Sequence, residues 1–344
     1  MKGFGAIEKG RTGWLEKPDP VITAPDQVLI ETTGVAMCTS DVHMVEAGNF
    51  PSIFGNIIGH EAVGRVIETG SGVKDFKVGD RVAIHDQSPV WGDRMAQLGV
   101  IGFAPGGRTV TPWLDGMFSE KILFERADSG LAHIPDNVSD EQALMALDMV
   151  ATSVTGIEFL DISFGESVAV IGIGPVGLCA VELCAIRGAG KIIGVGHRTA
   201  CKEAAYKMGA SDVLDYTEGS VLDLILGANG GKPVDKVLIC GYYEGVLADA
   251  FRMVRVGGSI ANVAMMMKPM EVIPTFGCGD RAYRAFRTKS GRFFLENIMN
   301  LISYGRIHPE NVISHTYHGF ENIPQAFEKM SHKTDDLIKT VCIF

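Results

Sequence analysis

Residues 167–177 read SVAVIGIGPVG, a short apolar run followed by three glycines with the spacing G-x-G-x-x-G. The run predicts a buried strand, and the apolar stretch after the glycines predicts a helix from Pro175 to Arg187. In such a turn the first glycine permits the tight bend and the second lets the backbone approach a pyrophosphate. The third lets helix and strand pack closely.

The setting of these glycines favours a bound dinucleotide. The free N–H groups at the start of a helix attract phosphates, and here a strand precedes the turn and a helix follows it. A glycine-rich turn without a ligand is the alternative. The residues predicted to contact the cofactor at this turn are Gly172, Ile173, Gly174, Pro175, Val176 and Gly177.

Strands and helices alternate on the C-terminal side of this turn. Apolar strands at 191–195, 212–216, 234–240 and 259–264 are separated by helical patterns, which is typical of βαβ units and a parallel sheet. The first half of the chain instead contains short strands separated by turn residues.

These patterns predict an α/β fold with two domains. A Rossmann-type, doubly wound parallel sheet is expected over residues 152–288. A β-rich domain is expected from residues 1–151, completed by residues 289–344.

Composition excludes several classes of function. The net charge of −10 provides no basic excess for nucleic acid, and no long run of uncharged apolar residues predicts a membrane span. The N-terminus lacks the apolar core of a signal peptide. Seven cysteines form no C-x-x-C pair, so a reducing cytoplasm is expected.

The end of the second strand of the parallel sheet indicates which dinucleotide binds. An NAD-binding chain would carry an acidic residue there for the ribose hydroxyl, whereas this chain has Gly196, His197 and Arg198. Arg198 can form charge-assisted bonds with a 2′-phosphate, and Tyr216 ends the next strand beside it. The prediction is NADP(H), with a solvated surface arginine as the alternative.

A second group of residues combines the side chains that zinc prefers. Cys38, His60, Glu61 and Asp148 offer a thiolate, an imidazole and two carboxylates. A lone cysteine or histidine is more often a core or surface residue, but His60 and Glu61 stand in the run GHEAVG, followed by Gly70.

That run resembles the signature of the zinc-containing medium-chain dehydrogenase/reductase superfamily, and the resemblance extends over essentially the whole chain. The runs CTSDVH, GDRV and IGIGPVG are similar to those of the bacterial, tetrameric, NADP-dependent secondary alcohol dehydrogenases. The resemblance implies a GroES-like catalytic domain, a homotetramer, and Cys38, His60 and Asp148 as zinc ligands with Glu61 as a labile fourth. No cysteine lies between 85 and 120, so one catalytic zinc and no structural zinc are expected.

The same resemblance implies further roles. Ser40 would bond the substrate oxygen, and His43 would pass the proton onward through the cofactor ribose. Asp41 would accept a hydrogen bond from His60 and fix its tautomer, although an ordinary helix N-cap is an alternative for this aspartate. Residues implied near the cofactor are Val263, Ala264, Met265 and Lys333.

The substrate pocket departs from the resemblance. Where the relatives keep small apolar residues, this chain has His85, Asp86 and Gln87, and further on Arg284 and Arg287. The loop that ends at Leu114 is shorter, so Trp113 need not replace the relatives' pocket tryptophan.

Four function classes follow from these observations. The leading one is a secondary alcohol/ketone oxidoreductase, and the second is a dehydrogenase of the same fold for a larger polar or polyol-like substrate. A zinc-independent NADPH quinone or enone reductase is the third, which the complete ligand set disfavours. A non-enzymatic NADP-binding protein is the fourth, and it would need neither Ser40 nor His43.

Overall fold

The computed structural model describes residues 1–88, 90–98, 114–265 and 280–344, together with the backbone of residues 108 and 109. Trp113 lies outside the described residues.

The chain divides into two compact units. The first contains Met1–Ala151, Lys289–Lys333 and Lys339–Phe344, and the second contains Thr152–Thr288 and Thr334–Ile338. The sequence assigned residues 289–344 as a whole to the first domain, whereas the structure groups Thr334–Ile338 with the second unit.

The described strands are, in chain order, β1 (Lys2–Glu8), β2 (Arg11–Glu16), β3 (Val28–Met37), β4 (Ala62–Thr69), β5 (Arg81–Ile84), β6 (Gln87–Ser88), β7 (Arg108–Thr109), β8 (Lys121–Phe124), β9 (Leu131–His133), β10 (Ser167–Ile171), β11 (Lys191–Val195), β12 (Asp212–Leu214), β13 (Val234–Ile239), β14 (Val254–Asn262), β15 (Ala282–Ala285), β16 (Ile313–His318) and β17 (Lys339–Ile343).

The described α-helices are α1 (Thr39–Ala47), α2 (Arg94–Gln97), α3 (Ala127–Gly130), α4 (Asp140–Met145), α5 (Ala151–Leu160), α6 (Pro175–Ile186), α7 (Thr199–Lys207), α8 (Val221–Ala228), α9 (Val246–Met253), α10 (Arg292–Ser303) and α11 (Ile323–Ser331). One π-helical turn, Ala146–Val150, lies between α4 and α5.

The first unit is built around β3. This strand pairs antiparallel with β4, β8 and β17, in a sheet with the order β16-β17-β3-β4-β5-β9 and β8 joined to β3. Val35, Ala36 and Met37 at the end of β3 are fully buried. Because β3 is paired with other strands and its last four residues are buried, its C-terminal end is a fixed point from which α1 begins.

The second unit is a six-stranded parallel sheet with the order β12-β11-β10-β13-β14-β15. This is the Rossmann order 3-2-1-4-5-6, in which ligands bind at the carboxyl ends of the strands. β10 and β13 lie at its centre and are almost wholly buried, and residues 168–171 and 237–239 within them are all apolar, as is typical of strands covered on both faces. The predicted α/β fold with a doubly wound parallel sheet is confirmed.

The glycine turn follows β10 at the centre of this sheet. Gly172 has a φ of +93°, and a Cβ there would lie 2.6 Å from the backbone nitrogen of Gly241. A Cβ on Gly177 would lie 2.0 Å from the carbonyl oxygen of Gly172. α6 then begins at Pro175, whose missing N–H costs nothing in the first turn of a helix.

Several element boundaries differ from the sequence prediction for local reasons. β12 ends at Leu214 rather than at Tyr216, since Asp215 turns back to accept hydrogen bonds from the N–H and hydroxyl of Thr217. β14 begins at Val254, directly after α9, and its pairing with β13 shifts register between Val234 and Lys236. The sequence analysis also missed α8, although Ser220 caps it.

One run of helical residues is long and apolar enough to cross a membrane by length and composition alone. It covers Asp140–Leu160, and 78% of its most apolar window is buried inside the protein. Core helices pass the same test, so this finding is weak evidence for a membrane span. No second helix in the described ranges meets the criterion.

Candidate metal and cofactor sites

Cys38 is fixed by the junction between β3 and α1. Its backbone is extended, and its Sγ accepts a hydrogen bond from the backbone N–H of Ser40 at 3.5 Å, so Cys38 is the N-cap of α1. The hydroxyl of Ser40 also donates to this sulfur at 3.1 Å. The N-cap role considered for Asp41 therefore belongs to Cys38.

Asp41 instead holds His60. Its Oδ1 lies 2.9 Å from Nδ1 of His60, and the aspartate is fully buried. Burial opposes a charge on His60, but Asp41 and the nearby Asp148 and Cys38 outweigh burial and raise its pKa well above the usual value. With Nδ1 bound to Asp41, the other ring nitrogen is oriented toward the remaining members of the cluster.

Gly59 lets the chain pass close to the core just before His60. It has a φ of +93°, and a Cβ there would lie 2.2 Å from the ring of Phe118. β4 begins two residues after His60, so this tight passage and the strand together fix the backbone of His60 and Glu61.

Asp148 lies within the π-helical turn between α4 and α5. Its Oδ2 is 3.5 Å from Sγ of Cys38 and 3.7 Å from Nε2 of His60. A π-turn inserts an extra residue into a helix and often occurs at functional sites. Here it lies in the segment that brings the third candidate ligand to the cluster.

Glu61 is fully buried and paired with a buried lysine. Nζ of Lys339 donates to Oε1 of Glu61 at 2.6 Å, and neither side chain is exposed to solvent. Burial raises the pKa of Glu61 to about 7, against the effect of Lys339. Burial likewise opposes the charge on Lys339, but Glu61, Cys38 and Asp148 outweigh it and raise the lysine pKa. Oε2 of Glu61 is buried and has no hydrogen-bond partner.

These four residues form a group that fits a zinc ion. One ligand atom from each of Cys38, His60, Glu61 and Asp148 lies within 4.8 Å of all the others. The edges of a tetrahedron with zinc bonds of 2.0–2.3 Å are roughly 3.3–3.8 Å, and the distances of 3.5, 3.7 and 3.9 Å around His60 and Cys38 are close to that. Within the described part of the chain this is the only such group.

His43 lies on the same helix as Ser40, three residues further on, and therefore on the same side. Its pKa is lowered by burial and by the positive charge of Lys333, with Glu46 acting in the opposite direction. His43 is therefore neutral at neutral pH and can accept a proton.

The residues predicted for the 2′-phosphate lie together after β11. Gly196 is buried, Arg198 is half-buried and His197 is exposed. The His197 and Tyr216 rings lie with their centres 5.7 Å apart. A guanidinium nitrogen of Arg198 donates to the carbonyl oxygen of Leu337.

Sequence reasoning missed two charged residues at this place. Asp215 lies 3.2 Å from Nδ1 of His197 and accepts a hydrogen bond from Nζ of Lys202 at 3.0 Å. No carboxylate follows β11 directly, as the sequence predicts, but Asp215 reaches His197 from the next strand end. Hydrogen bonds from Thr217 and Lys202 hold its pKa well below the usual range. The sequence did offer one signal for Lys202, because it follows Arg198 by four residues on α7 and so lies on the same side of that helix.

The segment Thr334–Ile338 packs on the start of α7. Oδ1 of Asp335 accepts a hydrogen bond from the backbone N–H of Thr199 at 2.7 Å, and the carbonyl of Leu337 binds Arg198. These contacts are the reason that the segment belongs to the second unit. Lys333, one residue earlier, is exposed and belongs to the first unit.

Val263, Ala264 and Met265 follow β14 at the carboxyl edge of the parallel sheet. The N–H of Val263 donates to the carbonyl of Ile239, and that of Ala264 to the side chain of Asn262. Met265 is half exposed. The structure thus places these three and the glycine turn at the same edge of one sheet.

The residues that the sequence suggested for a divergent pocket lie in different units. In the first unit, His85 and Gln87 are buried, Nδ1 of His85 lies 2.7 Å from Oδ1 of Asp86, and Ser290 donates to Gln87. In the second unit, Arg284 is exposed with its guanidinium over Phe286, and Arg287 is half-buried.

Comparisons with known proteins agree with this geometry. Residues 24–136 match the family model described as the alcohol dehydrogenase GroES-like domain, and residues 175–290 match the model described as zinc-binding dehydrogenase. The chain is 40% identical to an NADP-dependent isopropanol dehydrogenase of Thermoanaerobacter brockii, with 100% of this chain and 99% of that protein covered. A protein of the same name from Clostridium beijerinckii is 38% identical, with both chains fully covered.

A solved structure shares the fold. Alcohol dehydrogenase TADH from Thermus sp. ATN1 is 25% identical, with a TM-score of 0.92 over 100% of this chain and 99% of that one. The resemblance stated from the sequence is therefore confirmed. With two matched models and full-length relatives at this identity, the chain belongs to the zinc-containing medium-chain dehydrogenase/reductase superfamily, in its alcohol dehydrogenase family.

Proposed function

We propose that this protein is an NADP-dependent zinc alcohol dehydrogenase that interconverts secondary alcohols and ketones by hydride transfer. The observation that carries the proposal is the convergence of Cys38, His60, Asp148 and Glu61 within 4.8 Å. The glycine turn of the parallel sheet, in the same chain, supplies the dinucleotide site. Relatives named NADP-dependent isopropanol dehydrogenase support the choice of reaction.

The metal proposed for this site is one zinc per chain, held by Cys38, His60 and Asp148 with Glu61 as a labile fourth ligand. When bound, zinc supplies Lewis acidity that lowers the pKa of an alcohol. No structural zinc is proposed, since residues 85–120 contain no cysteine.

The proton that leaves the alcohol is proposed to pass through Ser40 and His43. The Ser40 hydroxyl donates to Cys38 in this structure, and it can rotate to bond a substrate oxygen instead. His43, neutral at neutral pH, would then accept the proton. When bound, the nicotinamide would supply a hydride acceptor, so the alcohol would lose one hydride and one proton and become a ketone.

The proposed cofactor is NADP(H). Arg198, His197, Gly196 and Tyr216 would surround the 2′-phosphate, while the glycine turn and α6 receive the pyrophosphate. Val263, Ala264 and Met265 are proposed to lie near the nicotinamide, and Lys333 is proposed to contact the cofactor.

We also propose the division of labour between the two parts of the chain. Residues 1–151 and 289–344 would form the catalytic domain and residues 152–288 the cofactor domain, with Thr334–Ile338 bound to the latter. A homotetramer is proposed from the resemblance to the tetrameric secondary alcohol dehydrogenases. A cytoplasmic location is proposed from the cysteine pattern.

A polar substrate is the second candidate, and Asp86 favours it. This carboxylate is partly exposed, at 21%, beside the buried imidazole of His85. A site with a polar group of this kind discriminates against substrates that cannot pair with it.

Removal of the metal tests the function directly. The purified protein should contain one zinc per chain by elemental analysis and should reduce NADP in the presence of a secondary alcohol. Chelation, or Cys38→Ala, should abolish this activity while circular dichroism remains unchanged, because a catalytic zinc does not drive the folding of a chain of this size. Full activity in metal-free protein would instead indicate a zinc-independent reductase.

Replacement of Arg198 tests the cofactor. Arg198→Ala should raise the KM for NADP by about 10- to 150-fold and that for NAD far less, because a charge-assisted hydrogen bond contributes about 1.5–3 kcal/mol. Arg252→Ala is the matched control, since Arg252 is an exposed arginine of the same unit. Equal losses for both cofactors would show that Arg198 does not bind the 2′-phosphate.

The pH profile tests His43. The charge of Lys333 disfavours protonation of His43, so Lys333→Met should raise the pKa of His43 toward its usual value. In alcohol oxidation His43 must be neutral to accept the proton, so kcat falls as the pH drops through the pKa of His43. A higher pKa should therefore move this acid limb of the kcat profile to higher pH. The measurement is kcat against pH at saturating alcohol and NADP. Lys329→Met is the control, because it removes one positive charge from α11 and should leave the acid limb in place. If the acid limb of Lys333→Met also stays in place, the proposed relay is contradicted.

A substrate comparison tests Asp86. Wild type should prefer a hydroxylated or carboxylated ketone to acetone, and the corresponding alcohol to propan-2-ol, by kcat/KM. Asp86→Ala should shift the preference toward propan-2-ol. If wild type already prefers propan-2-ol and the substitution changes nothing, Asp86 lies outside the pocket and the short aliphatic alcohol remains the substrate.

A further inference from the structure

The helix α7 begins at a residue that cannot cap it. The N-terminus of a helix leaves four backbone N–H groups without partners, and a serine, threonine, aspartate or asparagine at the N-cap usually accepts a hydrogen bond from one of them. In α7 the N-cap is Arg198, and its side chain makes no capping hydrogen bond. A guanidinium has five N–H donors and no acceptor, so an arginine is unable to fill this role.

Charge makes the same position unfavourable for an arginine. The N-terminus of a helix carries a partial positive charge, which acidic side chains in the first turn offset. The first turn of α7 contains no acidic residue, whereas His197 and Arg198 precede the helix and Lys202 lies one turn inside it. Cations thus stand where the helix itself needs an acceptor and a negative charge, and such local conflicts are expected at functional sites.

Asp335 supplies what the start of α7 lacks, from 136 residues further along the chain. Its Oδ1 accepts a hydrogen bond from the N–H of Thr199 at 2.7 Å, and its backbone carbonyl accepts one from the N–H of Ala200 at 3.2 Å. Hydrogen bonds from Thr199 hold the pKa of Asp335 below its usual range, so the carboxylate is charged at neutral pH. The cap and the negative charge of α7 therefore come from another part of the same unit.

The segment that contains Asp335 also holds the side chain of Arg198. One guanidinium nitrogen donates to the carbonyl oxygen of Leu337. The nitrogen Nη2 lies beside the glycine turn, 3.9 Å from the position that a Cβ on Gly174 would take. Because a guanidinium has five donors, one bond to Leu337 leaves donors for an anion. Arg198 is thus fixed at its backbone through Asp335 and at its side chain through Leu337.

We propose that Asp335 is a positioning residue for the 2′-phosphate of NADP(H): it caps α7 in place of Arg198 and so holds the arginine in the orientation that binds the phosphate. Asp335 acts through Arg198 and, as an anion, does not contact the phosphate itself. This inference rests on the proposed cofactor, and it adds a residue that determines the preference for NADP(H) over NAD(H).

Nucleotide binding, measured by isothermal titration calorimetry on the full-length protein, tests this inference without turnover. The probes are 2′,5′-ADP, which carries the 2′-phosphate, and 5′-AMP, which lacks it. Asp335→Ala should weaken the binding of 2′,5′-ADP about five-fold or more, as the loss of a helix cap does, and leave that of 5′-AMP unchanged. Asp335→Asn keeps an oxygen for Thr199 and removes only a negative charge, so it should bind 2′,5′-ADP at least as tightly as wild type.

A double-mutant cycle and a matched control separate positioning from a general loss of stability. In an Arg198→Ala background, Asp335→Ala should change the affinity for 2′,5′-ADP by less than about two-fold, since Asp335 acts through the arginine. Ser220→Ala removes the N-cap of α8 in the same unit and should leave both affinities unchanged. Hydrogen exchange at the start of α7 should be faster in Asp335→Ala and unchanged in Asp335→Asn and Ser220→Ala.

Three results would overturn the inference. They are an unchanged affinity for 2′,5′-ADP in Asp335→Ala, an equal loss in Asp335→Asn, and a full loss on adding Asp335→Ala to Arg198→Ala. If wild type binds 5′-AMP as tightly as 2′,5′-ADP, the proposed choice of NADP(H) fails and this inference fails with it. A wild-type preference for 2′,5′-ADP that survives in Asp335→Ala contradicts the role of Asp335 alone.

Discussion

The side chains of Cys38, His60 and Asp148 must meet within bonding distance of a single ion, although they come from three separate segments of the chain. A different backbone feature positions each of them. Cys38 lies at a strand–helix junction, His60 follows Gly59, which packs against Phe118, and Asp148 lies in a π-helical turn. All three features lie in the first unit, next to strands or helices that are buried. The distances of 3.5 and 3.7 Å between the ligand atoms are the result.

The second unit meets a different requirement, because the proposed nucleotide site needs a backbone that can approach a phosphate closely. Gly172 passes so close to Gly241 that a side chain is excluded, and α6 starts where its N–H groups are free. At the far end of the same site, the cationic residues are arranged by acceptors: Arg198 by the carbonyl of Leu337, and His197 and Lys202 by Asp215. Close backbone packing thus shapes the glycine turn, whereas hydrogen bonds to carbonyl and carboxylate oxygens position the cationic side chains after β11.

Much of this could be predicted from the sequence, because the signals are local. The turn SVAVIGIGPVG contains its own strand, glycines and helix start, and the run GHEAVG carries its own spacing. Lys339 could not be found in this way, since it is 278 residues from Glu61 and looks like any strand residue. The π-turn at Asp148 was equally invisible, because an inserted residue leaves the apolar pattern of a helix nearly unchanged. Asp215 was missed because strand ends that are adjacent in space are distant along the chain, whereas Lys202, four residues after Arg198 on α7, could have been recognised from the sequence.

The pairing of β17 with β3 has a consequence for the order of assembly during synthesis. Domains fold as units, N-terminal ones first, while the ribosome is still adding residues. The first unit cannot follow that rule, because its central strand β3 lacks a neighbour, and Glu61 lacks its counter-charge, until β17 has been translated. All strands of the second unit's parallel sheet are translated well before that point, and only the segment Thr334–Ile338 of this unit comes later. In the newly made chain, the unit with the glycine turn therefore has all its strands before the unit with the candidate metal ligands receives its last strand, β17.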